Sequence, residues 1–224
     1  MIDDDVRADV RAAEDLAGST PIDGGALNGV AWTGDADRVV WLHPAWQTVE
    51  ILPEHVRDAL RIGRLDLVAV AFACRATGTW RPLLAGVNAW CYGGSEHGVE
   101  RTRRVLALAD LETRLEAAVA VLDADGPVEA YYLLSNEGHV HGWGPALFTR
   151  FLDAADRRES GRALGLDPAL AGAVNGLVPG SDLAAADWGT AEYAFYLGLL
   201  HRVAAEAGVS PTSVEAALAA KFAD

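Results

Sequence analysis

Apolar residues recur at helical spacing through most of the chain, and proline residues mark several of the helix starts. Pro127 opens an apolar segment that ends near Ser135, and Pro145 opens a second that runs to about Arg158. Proline is well tolerated in the first helical turn because its missing N–H has no partner there. No paired runs of alternating apolar and polar residues indicate strands. The pattern therefore predicts an all-α protein.

The C-terminal half carries further helix-start signals. Asp167 directly before Pro168 is typical of an N-cap residue followed by the first helical residue, and it predicts a helix to about Asn175. A long apolar helix is predicted over residues 188–206. The spacing Thr212-x-x-Glu215 predicts a capping box at the start of the last helix.

The N-terminal half is also predicted to be helical. A helix is expected over residues 53–63, and the Ala-rich residues 65–76 are interpreted as a buried helix. A helix that breaks at Gly93 and Gly94 is followed by a polar loop and then by one long amphipathic helix.

The length of 224 residues favours one compact unit or two tightly packed helical lobes. Residues 1–30 contain seven acids against two arginines, and a Gly-rich stretch begins at Gly18. We interpret residues 1–30 as an acidic, Gly-rich arm, either loosely held or a short helix followed by a loop. Residues 31–224 are predicted to form a single helical domain.

Charge and cysteine content exclude several functions. The net charge of −14 disfavours strong non-specific binding to nucleic acid or anionic lipid. Cys74 and Cys91 are too few for a disulfide framework or a four-cysteine zinc site. The acidic N-terminus does not resemble a signal peptide, and no apolar run approaches a membrane span of about 18 residues. We expect a soluble, cytoplasmic protein with no membrane partner.

The segment EGHVHGWG joins two of the predicted helices and is the most informative turn. Gly142, Trp143 and Gly144 precede Pro145 in a pattern that resembles a helix-hairpin-helix element, whose backbone N–H groups approach a DNA phosphate. An ordinary Gly-rich turn between packed helices is the alternative. We expect Trp143 to be exposed at the hairpin tip, as a wedge or contact, and His141 to contact a phosphate or only solvent.

Four blocks occur in the order typical of one family: NAWCYGG at 88–94, HGWGPALFTRFLDAA at 141–155, LGLDPALAGAV at 164–174 and WGTAEYAFYLGLLHRVA at 188–204. Over residues 50–222 the chain resembles a bacterial family with an 8-oxoguanine DNA glycosylase-like fold. The resemblance implies an all-α, helix-hairpin-helix architecture of two helical lobes with a cleft between them.

The resemblance also implies catalytic roles. Asp167 matches the family's aspartate, which stabilises the cationic sugar or positions the attacking water; the alternative is that Asp167 is only an N-cap. Arg150 stands where relatives carry a lysine, and arginine is a poor nucleophile. Because Lys221 is the only lysine and lies in the last helix, a lysine-dependent lyase step is excluded.

The base pocket is predicted to contain aromatic side chains on which a flipped base stacks. Candidates are Trp90, Trp143, Trp188, Tyr193 and Tyr196, although aromatic residues of an all-α protein usually pack in its core. Asn88 could read a base edge, or its amide could bind a backbone carbonyl at the Gly93–Gly94 break.

The pair His139 and His141 lacks the further ligands that a zinc site needs, so no metal and no cofactor are expected. One set of arginines could form a basic face: Arg101, Arg103, Arg104, Arg150, Arg157, Arg158 and Arg162. Nearby acids could equally neutralise these arginines as surface ion pairs.

The resemblance thus implies a DNA glycosylase-like protein that excises an oxidised or otherwise modified purine from damaged duplex DNA without a lysine. The alternative is a catalytically inactive protein of the same fold that binds a nucleotide, a small ligand or a protein partner. An N-glycosidase acting on free nucleosides is a third possibility.

Overall fold

The computed structural model describes residues 2–22 and 39–221. The α-helices in these residues are α1 (Asp4–Ser19), α2 (Glu54–Ala59), α3 (Arg64–Thr77), α4 (Arg81–Tyr92), α5 (Glu96–Leu106), α6 (Leu111–Ala124), α7 (Pro127–Ser135), α8 (Pro145–Ala155), α9 (Pro168–Leu177), α10 (Thr190–Ala207) and α11 (Pro211–Lys221). A 3-10 helix spans Pro44–Thr48. The prediction of an all-α fold is confirmed.

The only strands among the described residues are β1 (Val40–Trp41) and β2 (Arg61–Ile62). They pair antiparallel, with Val40 opposite Ile62 and Trp41 opposite Arg61. This ladder shortens the helix predicted over residues 53–63, because α2 ends at Ala59 and Leu60 takes the left-handed backbone conformation with φ 47°.

The helices pack as two groups around a shared centre. In the first group α4 contacts α3, α5 and α6, and every residue from Leu83 to Ala89 is buried. In the second group α10 contacts α1, α7 and α11. Helix α8 touches α3, α4 and α6 of the first group and α7 of the second, and α6 also packs against α7, so the two groups meet at α8 and at the α6–α7 pair. Its buried face includes Phe148 and Phe151, which pack edge to face against Tyr131 and Trp80 respectively.

Helix α1 packs closely against α10. Arg202 donates hydrogen bonds to the carbonyls of Gly18 and Thr20, at 3.0 and 2.7 Å. The two helices also approach where Ala17 faces Gly198: a Cβ on Gly198 would lie 3.0 Å from the Ala17 methyl group. The first part of the predicted arm is therefore a docked helix rather than a loose segment, whereas residues 23–30 lie outside the described residues. The domain boundary at residue 30 stays a prediction.

Two predictions in the N-terminal half were wrong in detail. Helix α3 is not buried all round, because Leu65, Val68 and Phe72 are exposed on one face while Leu67, Val70 and Ala71 are buried on another. The long amphipathic helix is instead two helices, α5 and α6, separated at residues 107–110. Asp110 stands at the N-cap position of α6, at the break.

Candidate active site

A cleft of about 600 Å³ lies between residues of the two helix groups. Helix α4 and the residues after it form one wall, the starts of α8 and α9 form the floor, and the segment before α10 forms the other wall. The lining residues are Trp90, Cys91, Tyr92, Arg101, Gly144, Pro145, Ala146, Leu147, Arg150, Asp167, Pro168, Ala169, Ala185, Ala186, Asp187 and Trp188.

Asp167 begins α9 and faces this cleft. As predicted, it is the N-cap: its Oδ1 accepts from the Leu170 N–H at 2.9 Å. Its Oδ2 accepts from Arg150 Nη2, also at 2.9 Å, and 28% of its side chain remains exposed. Burial alone would raise the pKa of Asp167, but the charge of Arg150 and the N–H groups of Leu170 and Ala169 lower it below its ordinary value. Asp167 is therefore a fixed, ionised carboxylate.

Arg150 lies almost completely buried beneath the cleft, with 5% of its side chain exposed. Its Nη1 contacts Glu215 Oε1 from α11, and its guanidinium carbon lies 5.1 Å from the centre of the Trp90 ring. A Cβ on Gly165 would lie 2.3–2.5 Å from Arg150 Cδ, Nε and Cζ, so only glycine fits there. Burial alone would lower the pKa of Arg150, but Asp167 and other nearby groups raise it.

The backbone of residues 164–166, which leads into Asp167, is held by side chains of two helices. Tyr193 and Tyr196 of α10 donate from their hydroxyls to the carbonyls of Leu164 and Gly165, at 2.9 and 2.7 Å. Thr149 of α8 accepts from the Leu166 N–H at 3.0 Å. These bonds satisfy buried backbone groups and fix the position at which Asp167 enters the cleft.

Tyr193 and Tyr196 are therefore core residues and do not line the cleft. Both are fully buried, and Tyr193 stacks on Tyr131 with ring centres 4.5 Å apart. The predicted place of Tyr193 in the base pocket is wrong, because its ring is enclosed by the second helix group and its hydroxyl binds the Leu164 carbonyl.

Trp143 and Asn88 form a second buried pair away from the cleft lining. Trp143 is only 1% exposed, and its Nε1 donates to Asn88 Oδ1 at 3.0 Å. The Asn88 amide nitrogen donates to Thr102 Oγ1 at 3.1 Å. The expected exposure of Trp143 is wrong, and Asn88 reads neither the cleft nor the Gly93–Gly94 break. The nine residues between α7 and α8 fold back so that the indole packs into the core against Phe148 and Phe151.

The remaining hairpin residues are accessible. His141, Gly142 and Gly144 are exposed, and Gly142 has φ 79°, a conformation that favours glycine. Gly144 is the N-cap of α8 and offers no side-chain cap. The N–H groups of Leu147 and Phe148 bond to its carbonyl, and Pro145 has no N–H. Among the described residues, the Ala146 N–H has no partner, and Ala146 lines the cleft.

Aromatic rings form the side walls. Trp90 and Trp188, both predicted for the base pocket, line the cleft. Trp188 is almost completely buried, and its Nε1 donates to the Ala184 carbonyl at 2.7 Å. Tyr92, which the sequence did not single out, lies beneath the guanidinium of Arg101 at 5.6 Å. Its position depends on Gly98, where a Cβ would lie 2.3 Å from Tyr92 Cβ.

Most of the arginines considered as a basic face are neutralised. Arg158 pairs with Asp156 at 2.8 Å, Arg162 with Asp153 at 3.1 Å, and Arg104 with Glu100 at 3.1 Å. Within the described part of the chain, Arg101 and Arg157 take part in no ion pair, and of these two only Arg101 lines the cleft. Arg103 donates to the hydroxyl of Thr48.

Residues 2–22 and 39–221 contain no group of three or more His, Cys, Asp or Glu residues placed to hold a metal ion. No helix among them has both the length and the apolar character required to cross a bilayer.

The fold is all-α, consistent with a glycosylase-like fold, and Asp167 stands at a helix start in a cleft lined partly by aromatic rings. The chain belongs to the family described as "Putative 8-oxoguanine DNA glycosylase OGG-like protein", whose model matches residues 30–219. Helix α1 lies outside the matched residues. No curated protein and no solved structure matches the chain.

Proposed function

We propose that the protein is a monofunctional DNA N-glycosylase that releases an oxidised or otherwise modified purine in the cleft beside Asp167. The observation that carries this proposal is the fixation of the Asp167 carboxylate by Arg150 and the start of α9, with its side chain still partly open to the cleft. Membership of the glycosylase-like family supports the same reading.

The environment of Asp167 favours one chemical role over another. A general base works best with a pKa near the working pH, whereas the pKa of Asp167 is lowered by Arg150 and by backbone N–H groups. A permanently charged carboxylate is instead suited to stabilise the positive charge that develops on the sugar as the base leaves. Asp167 therefore acts by electrostatic stabilisation. The glycosidic bond breaks with its electron pair leaving on the purine, water adds to the cationic sugar carbon, and the proton that this water loses goes to the departing purine or to solvent.

No lysine of the described residues lines the cleft, so covalent catalysis by a side-chain amine is not proposed. The side chain at the floor of the cleft is Arg150, whose pKa is raised further by Asp167, so it does not supply a neutral nucleophile. Lys221 is exposed in the last turn of α11 and does not line the cleft. No Schiff base with the sugar is expected.

The remaining lining residues suit the other parts of a nucleotide. A base turned out of the duplex would stack on Trp90 and Tyr92, which keep partly exposed rings on one wall. A backbone phosphate would meet the open start of α8 at Ala146 and the exposed hairpin glycines. Arg101 adds a positive charge to the lining of the cleft.

The test is base release from labelled duplexes that are unmodified or carry 8-oxoguanine, an alkylated purine or an abasic site. The wild type should release one modified base and form no borohydride-trapped complex. Asp167→Asn should slow release by about 100-fold or more, the scale seen when one transition-state stabilising group is lost. Asp3→Asn is the matched control, because Asp3 caps α1 through the Val6 N–H with the same 2.9 Å bond. No release from any duplex would contradict the proposal.

One observation favours a second candidate. Asp167 is already paired with Arg150, and Arg158 and Arg162 are paired with acids as well, so these arginines supply little free positive charge for a DNA backbone. A catalytically inactive protein that holds a nucleotide, a small ligand or a protein in the same cleft would need neither a free carboxylate nor a basic channel. Saturable binding of free nucleotides, with no binding to abasic duplex at low salt, would favour this candidate.

A further inference from the structure

Glu215 departs from the role that its sequence spacing predicts. The expected capping box paired Glu215 with Thr212. Instead, the Ser213 N–H bonds to Ser210 Oγ at 3.1 Å, so the capping side chain lies two residues before Thr212. Glu215 turns inward and is 8% exposed. Its Oε1 contacts Arg150, and its Oε2 is buried with no hydrogen-bond partner among the described residues.

Arg150 is thus shared by two carboxylates that lie in different surroundings. Nη2 binds Asp167, which lines the cleft, and Nη1 binds Glu215, which does not. One guanidinium with one carboxylate carries no formal net charge, whereas the three groups together carry a formal charge of −1. Glu215 therefore offsets the positive charge of Arg150 from the side that does not line the cleft.

The surroundings leave Arg150 no alternative position. Gly165 abuts the guanidinium on one side, and the Trp90 ring lies 5.1 Å away. The other charged group that acts on Arg150 is Asp153 of α8. Tyr196 of α10 also lies near Arg150, but it is a neutral phenol whose hydroxyl donates to the Gly165 carbonyl. Asp153 is itself bound by Arg64 and Arg162, each at 3.1 Å, so its charge is already compensated.

We infer that Glu215 is a positioning residue that acts through Arg150: it offsets the charge of Arg150, so that Asp167 presents a net negative site to the cleft. This role concerns the proposed reaction and rests on the proposed function, because a cationic sugar is the species that a net negative site would favour. Glu215 itself touches no substrate.

The first test needs no DNA. The pKa of the Asp167 carboxyl is measured by carbon NMR in the wild type and in Glu215→Gln, with Asp167→Asn to assign the signal. If Glu215 offsets Arg150, its neutralisation leaves the full charge of Arg150 acting on Asp167, and the pKa of Asp167 falls further. If Glu215 is only a structural anchor, Arg150 loosens and the pKa of Asp167 rises. A rise or no change would overturn the inference.

Two further variants keep this test decisive. Glu215→Asp retains the charge on a shorter side chain, so the pKa of Asp167 should lie between those of the wild type and Glu215→Gln. Glu206→Gln makes the same chemical change at an exposed site of α10 and should leave the Asp167 pKa unchanged. If Glu215→Gln does not fold, Glu215→Asp provides the same comparison with the wild type.

The second test uses duplexes that carry either a cationic pyrrolidine or a neutral tetrahydrofuran in place of the sugar. Neutralising Glu215 should reduce the preference for the cationic duplex about tenfold, as expected when one nearby charge is lost in a partly buried site. An unchanged preference would overturn the inference. If no duplex binds but the Asp167 pKa falls as expected, the proposed function fails and the role of Glu215 toward Arg150 stands.

Discussion

Two helices begin at the same cleft, and their first turns are completed in different ways. Helix α9 carries its own anion, because Asp167 caps the Leu170 N–H and is fixed in turn by Arg150. Helix α8 begins at Gly144 with no side-chain cap, and the Ala146 N–H remains available. Both starts carry the partial positive charge of a helix N-terminus.

The difference divides the cleft by charge. At α9 the positive helix start is already balanced, so this side presents a carboxylate and suits a cationic group. At α8 the helix start is open, so this side suits an anion such as a phosphate. A nucleotide undergoing loss of its base has both features, a phosphate and a sugar that becomes cationic. The contrast between the two helix starts is therefore the physical basis of the proposed function.

On the α9 side, removal of Arg150 should lower the free energy of unfolding more than any other substitution described below. Arg150→Ala would leave Glu215 buried and Asp167 half-buried without their shared cation, which costs about 3–5 kcal/mol of unfolding free energy. The loss is measured by urea unfolding at pH 7. The double variant Arg150→Met with Glu215→Gln removes both buried charges and should recover much of this loss. A single variant as stable as the wild type would show that the pair does not hold the α9 side together.

Gly165 should be the next most sensitive position. Gly165→Ala places a methyl group against the Arg150 guanidinium, where the nearest atoms are 2.3–2.5 Å away, and overpacking of this kind costs about 1–3 kcal/mol. The matched control is Gly172→Ala in α9, where a Cβ meets nothing within 4 Å. That control should stabilise the protein by about 0.5–1 kcal/mol, since alanine is the better helix former. Equal effects of the two substitutions in thermal unfolding would argue against the close contact.

Acid should weaken the α9 side through Asp167. Its pKa is lower in the folded protein than the ordinary value of 3.8, so its ionised form contributes stability at neutral pH. That contribution is lost as the pH falls below about 3.8 and through the lower folded pKa. Asp167→Asn keeps a good N-cap but removes the charge, so it should be less stable than the wild type at pH 7 by about 1–3 kcal/mol.

The pH series checks the sign of this effect. The difference between Asp167→Asn and the wild type should shrink steadily as the pH is lowered from 5 to the acid limit of folding. A difference that grows on acidification would mean that the folded protein prefers the protonated carboxyl, opposite to the lowered pKa.

The α8 side is tested by giving it the cap that α9 already has. Gly144→Asp fits, because a Cβ there meets nothing within 4 Å and the backbone is extended with φ −86° and ψ −179°. An aspartate cap should raise stability by a few tenths to about 1 kcal/mol. It should also abolish salt-sensitive binding to abasic duplex by occupying the helix start. Gly144→Ser, which caps without charge, should weaken binding less. Unimpaired duplex binding by Gly144→Asp would exclude α8 as the phosphate contact.

Local signals in the sequence were enough to place Asp167. The N-cap is set by an aspartate, a proline and the apolar spacing that follows, all within a few residues, and the structure has the predicted cap. The helix of residues 127–135 was placed for the same reason. Features of this kind depend on the chain's nearest neighbours and need no knowledge of the tertiary fold.

Features that depend on tertiary packing were not predictable. Trp143 was expected at an exposed tip, but its burial depends on Asn88, which lies 55 residues earlier and offers the only side-chain acceptor of its indole N–H among the described residues. Glu215 carries a capping-box spacing, yet Arg150 from a distant helix competes for its carboxylate. Tyr92 and Asp187 line the cleft, although no spacing of residues in the sequence indicated that they would. For Trp143 and Glu215 a long-range partner outweighs the local pattern.

The most direct measurement is the affinity of the wild type and of Asp167→Asn for the two duplexes with a cationic pyrrolidine or a neutral tetrahydrofuran at the abasic position. The central claim is that Asp167 presents a fixed negative charge to a developing cation on the sugar. It predicts that the wild type binds the cationic duplex more tightly than the neutral one and that Asp167→Asn loses this preference while still binding the neutral duplex. Equal affinity of the wild type for both duplexes would contradict the claim.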